Sequence, residues 1–198
     1  MSTVVDRQAL LRRGLRLEYA TLAWNVGEVA VLFYAAAMAR SVALAGFALD
    51  SCIEIFASLV VVGRLKGVAD EARERRAETM IGYAFFALAI YLTGQAIVTI
   101  VAGVRPGSSP LGIAWLCATV VVMFSLAAAK LRVGRALDHI VLQTEAKVTM
   151  VDGVLAASIL LGLVLNAALG WWWADIAGGI VVIAYGLREG IYAVRQPT

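Results

Sequence analysis

The sequence predicts an all-α integral membrane protein of six transmembrane helices with both termini in the cytoplasm. Three observations lead there. First, 62% of the 198 residues are hydrophobic and the mean hydropathy is +0.85, whereas soluble domains hold about 45–50% apolar residues. A soluble core of this size could not bury so much apolar surface, so lipid is the remaining solvent. Second, the apolar residues form continuous runs of roughly 20, the length of a membrane-crossing helix. A transmembrane barrel would show alternating segments of about ten instead. In hydrocarbon, each backbone polar group must pair within its own segment, which favours helices. Third, the basic residues are sided. Of the 17 Lys and Arg, 15 fall before the first run, after even-numbered runs, at the entry of the fifth run (Lys147) or at the C-terminal end, and only Arg40 and Arg105 fall on the other side. Basic residues gather on the cytoplasmic face.

Each element follows in order. Residues 1–16 form a short cytoplasmic arm bearing Arg7, Arg12, Arg13 and Arg16. Residues 17–194 form the six-helix domain. The first span covers 17–39 and turns at Arg40 and Ser41 into the second, 42–63. A stretch of mixed charge, 64–78, leads to the third span, 79–104. Pro106, Gly107, Ser108, Ser109 and Pro110 read as a turn. The fourth span covers 111–129, and a polar link from Lys130 to Glu145 leads to the fifth, 146–169. Gly170 opens a tight turn into the sixth, 171–187, whose helix extends toward Val194. Trp171, Trp172 and Trp173 lie at the outer boundary, where indoles favour the interface. Residues 195–198 are a short tail, so the expectation is a chain with no cytoplasmic metal-binding domain. No removable signal peptide is expected, because no short apolar segment with a small-residue cleavage site opens the chain.

Composition excludes some function classes. The net charge of +3 is explained by topology, and no nucleic-acid partner is expected. Cys52 and Cys117 lie in different runs and form no CxxC motif. No HExxH, GxSxG or Walker A sequence occurs, so the chain reads as a non-enzyme that cannot use ATP unaided.

Chemistry is carried by acids inside the spans. An Asp at a membrane helix centre costs roughly 2.5–3.5 kcal/mol on insertion scales. Glu28 lies in the first span, Asp50 and Glu54 in the second, and Asp152 in the fifth. Asp50 and Glu54, four apart, share a helix face. Asn25 and Glu28 share another, and Glu145, Thr149 and Asp152 form a stripe on the fifth span. Convergence of these faces would place four carboxylates around one point, where a divalent cation satisfies them. The metal ligands expected are Asp50, Glu54, Asp152 and Glu28, with Asn25 and Glu145 as possible additions. Glu145 with Lys147 also reads as an interfacial charge pair, Asp175 as an acid favoured at a helix N-terminus, and His139 as a loop residue.

At these residues the chain resembles the transmembrane domain of the cation diffusion facilitator family. The resemblance runs over nearly the whole chain. Trp24-Asn25-Val26-Gly27-Glu28, the segment from Gly46 to Glu54, and Trp171-Trp172-Trp173-Ala174-Asp175 look most like a short bacterial cation-efflux-like branch. The chain is also similar to the six-span vertebrate zinc transporter type of synaptic vesicles. The family holds metal on a pair in the second span and a His-x-x-x-Asp pair in the fifth. By resemblance, Asp50 and Glu54 take the first pair and Asp152 takes the second aspartate. The histidine position falls on Val148, so Glu28 or Glu145 would supply the missing group. The resemblance implies a homodimer in the cell membrane, multi-pass in the lipid bilayer. Its activity would be efflux of a divalent metal ion, Zn2+ or Mn2+, as transported substrate, by alternating access in exchange for protons. Two other readings stay open: a non-transporting scaffold or subunit that keeps this fold, and a proton-coupled transporter of another solute.

Overall fold

The computed structural model describes residues 2–66 and 71–195. Six helices follow in order: α1 Ser2–Ala39, α2 Val42–Leu65, α3 Glu71–Val101, α4 Pro110–Leu137, α5 Ile140–Leu169 and α6 Trp172–Arg195. No strand occurs among the described residues. Residues 67–70 of the expected loop and 196–198 of the expected tail lie outside the described residues. Among the described residues, five stretches, one in each of α1 to α5, are long and apolar enough to cross a membrane. The sixth helix has comparable length at 24 residues but carries Asp175, Arg188 and Glu189. The chain is a multi-pass membrane protein. Its outward side chains agree: Val101 is 82% exposed, Ile90 73% and Met38 71%. Large apolar groups spread that widely over a surface need hydrocarbon around them.

Several helices extend past the expected boundaries. Residues 2–16 of the expected arm are the helical beginning of α1. The link from Lys130 to Glu145 is almost all helix, with Asp138 and His139 alone between α4 and α5. The charged stretch is helical from Glu71. Polarity ends a membrane span, but it does not end a helix, and Glu, Arg, Lys and Ala are all good helix formers. The third helix stops at Val101 instead of 104, just before Gly103 with its φ of +64°.

Local chemistry sets the ends. Ser109 caps α4, its Oγ accepting from the Gly112 amide at 3.2 Å, with Pro110 in the first helical position. His139 caps α5, its Nδ1 accepting from the Leu142 amide at 3.4 Å; that is its role in the fold. Gly170 takes φ +68° and closes α5. Asp175 does stand in the first turn of α6, but it serves a second helix as well. Its carboxylate accepts from the Ser41 hydroxyl and from the Val42 amide at 3.0 Å. A side chain 133 residues away in sequence thus caps α2 and tethers α6 to it.

The helices pack most extensively in pairs: α1 with α2, α3 with α6, and α4 with α5. The second helix sits centrally and also touches α3, α5 and α6. A core of Leu32, Phe47, Leu92, Leu116, Ile159 and Leu163, among others, fills the middle. The fifth and sixth helices meet at Gly162. A Cβ there would lie 2.6 Å from the Ala174 carbonyl oxygen, so the two backbones are in direct contact and only glycine fits.

Candidate metal centre

The second helix carries Asp50 and Glu54 on the face turned toward α5, and α5 carries Asp152. One carboxylate oxygen from each lies within 4.8 Å of the other two. Asp50 is 0% exposed, Asp152 1% and Glu54 9%. Both oxygens of Asp50, Oε1 of Glu54 and Oδ2 of Asp152 are buried with no hydrogen-bond partner. A buried carboxylate without partners is costly, and clustering multiplies the cost by mutual repulsion. The first helix adds Asn25, whose Nδ2 donates to Glu54 Oε2 at 3.0 Å. Its carbonyl Oδ1 is a further buried acceptor without a partner.

Glu28 lies beside this group and does not complete it. Thr119 Oγ1 donates to its Oε1 at 2.5 Å, and Ser51 Oγ donates to its Oε2 at 3.1 Å. The Trp24 indole donates to Thr119 Oγ1 at 3.2 Å and stacks on Trp115 with ring centroids 5.1 Å apart. Hydroxyls from α2 and α4 therefore satisfy Glu28. The expected convergence of four acids becomes three acids plus a neighbour already hydrogen-bonded.

Glu145 is also engaged elsewhere. Its Oε1 lies 3.6 Å from Lys130 Nζ, so its basic neighbour in the fold is Lys130, in place of the expected Lys147. Lys130 is fully buried. Its ammonium donates to Glu18 Oε2 at 3.0 Å and to Thr149 Oγ1 at 3.0 Å. Sequence reasoning missed both Glu18 and Lys130, although a signal existed. Glu18, Thr21, Asn25 and Glu28 are spaced by three, four and three, one continuous polar face of α1, and all four are buried. On α4, Lys130 continues the buried line of Thr119, Met123 and Ala127.

A groove of about 560 Å³ lies between α5 and α6 at the end of the bundle rich in basic residues. Thr144, Lys147 and Val148 line one wall, and Tyr185, Arg188 and Glu189 line the other. Val148 faces this groove one turn before Asp152. Tyr185 lies within electrostatic range of all three clustered acids, and Glu189 within range of Asp50. At the mouth, burial raises the Glu189 carboxyl above its ordinary range, and the adjacent Arg188 opposes that rise. Cys52 is half-buried and Cys117 exposed, both as free thiols.

No protein-family model matches the chain. Over 204 aligned residues it is 24% identical to Transmembrane protein 163 of Xenopus laevis, an alignment that covers 96% of this chain and 72% of that protein.

Proposed function

We propose that this protein carries a divalent metal cation across its membrane, with Asp50, Glu54 and Asp152 as the groups that hold the ion. One observation supports this above all: three buried carboxylates from two helices share a point, with four of their oxygens unpartnered. Ligand oxygens on one Mg2+, Mn2+ or Ca2+ ion sit about 2.0–2.6 Å from it, so opposite ligands are roughly 4–5 Å apart. Oxygens that all lie within 4.8 Å of one another are compatible with that range. The donor set is all oxygen, with the Asn25 carbonyl at hand, and suits Mn2+ as well as Zn2+. The family resemblance supports the same reading, together with a homodimer in the cell membrane.

Coupling follows from the same carboxylates. Without a cation they must take up protons, and with one they must give them up. Exchange of metal for protons then needs no ATP site. In vesicles made acidic inside, purified protein is expected to drive Zn2+ or Mn2+ inward against its gradient, read by an enclosed metal-sensing dye. Collapse of the pH difference by nigericin should abolish accumulation. Entry no faster than in protein-free vesicles, with either sign of gradient, would refute the reading.

Orientation has its own test. With Cys52→Ala and Cys117→Ala as background, Ser108→Cys should react with an impermeant thiol reagent added outside cells. Lys66→Cys should react only after lysis. The reverse pattern would place the termini outside.

A further inference from the structure

We propose that Lys130 sets how tightly the three acids grip their cation, acting as a tethered positive charge that keeps the site able to release. The inference rests on the reading of Asp50, Glu54 and Asp152 as metal-holding groups. Three carboxylates in a low-dielectric interior attract a divalent ion very strongly. A carrier needs the opposite quality as well, since an ion that cannot leave is not transported.

Lys130 stands where it can supply that quality. Its ammonium donates to Thr149 Oγ1 at 3.0 Å, and Thr149 shares a face of α5 with Asp152, three residues on. The charge of Lys130 reaches Asp152. From the same cluster the charge of Glu145 reaches Glu54, so two opposite charges act on the site from one side. Glu18 fixes the ammonium in place at 3.0 Å. Ion pairs buried like this contribute little to stability compared with apolar residues of equal volume. Stability alone therefore gives no reason for a lysine at 0% exposure in the bundle.

The roles of charge and packing can be separated. Lys130→Gln alone leaves two acids unpaired and risks misfolding, so the informative variant is Glu18→Gln with Lys130→Gln. Zn2+ and Mn2+ affinity would be measured on purified protein by competition with a fluorescent chelator. The double variant should bind at least about tenfold more tightly than wild type, equivalent to about 1.4 kcal/mol, and release metal to excess chelator more slowly. Glu145→Gln should shift affinity the other way, and Lys130→Arg, which keeps the charge, should stay near wild type. A purely structural cluster would move melting temperature without these opposed shifts. Wild-type binding with a folded double variant of equal or weaker affinity would overturn this inference and leave the proposed function standing. Wild type that binds neither metal would overturn both.

Discussion

Asp50→Asn should lower Zn2+ and Mn2+ affinity more than about a hundredfold, beyond the 10–100-fold that loss of an outer-shell partner costs a metal site. Asp50 is fully buried and neither of its oxygens has a partner, so no internal interaction competes for its charge. Asparagine keeps the shape and removes one negative charge from a crowded site. The variant should therefore fold as well as wild type while binding poorly. Calorimetry in buffers of differing ionisation enthalpy adds a second readout. Fewer protons should leave per ion bound, because one acid no longer takes part. In wild type, affinity should fall as pH drops, since protons compete for the same oxygens. Glu28→Gln is the contrast. Its hydroxyl partners remain and it sits outside the group of three, so its effect should be far smaller. Equal losses for the two variants would mean that the ion rests among all four acids.

Lys130→Met should reduce stability by about 3–5 kcal/mol, the cost of removing one partner from a buried ion pair. Glu18 and Glu145 would face each other across an uncharged thioether, with Glu18 fully buried. Adding Glu18→Gln should restore much of the loss, because the remaining acid, Glu145, lies nearer the surface with a side chain 12% exposed. Thermal unfolding in detergent, followed by intrinsic fluorescence, would show this as a large drop for the single variant and partial recovery for the double. A single variant as stable as wild type would mean that Glu18 finds its neutral form at no cost.

Much of the fold was legible in the sequence, because hydrocarbon imposes a strict rule. Runs of apolar residues near 20 long had to be helices, and the turns at Arg40, Pro106 and Gly170 sit where composition placed them. Helix ends were less legible. The sequence marks where lipid stops, and α1, α3, α4 and α5 continue beyond that edge on residues that favour helix regardless of solvent. The pair on α2 was legible from spacing alone, as was the stripe on α5. Their meeting was expected, because acidic faces in hydrocarbon need a common cation, and Asp50, Glu54 and Asp152 do come together. That Glu28 stands apart was not legible, because its partners Ser51 and Thr119 lie 23 and 91 residues away in sequence. Lys130 was hidden for another reason. At the end of an apolar run a lysine reads as the start of a loop, and only the facing Glu18 shows that it turns inward.

The contact at Gly162 gives α5 and α6 the mechanics of a lever. Their backbones touch there, and the groove that begins at Thr144 opens 18 residues further along α5, about 27 Å away at 1.5 Å per residue. Two rods held together near one end and parted near the other convert a small change of angle into a large change of gap. A rotation of about 10° at the pivot would displace the far ends by roughly 5 Å over that helix length, while the touching backbones hardly move. Asp152 lies on α5 between pivot and groove, ten residues from Gly162, where the same rotation would produce an intermediate shift of roughly 2.6 Å.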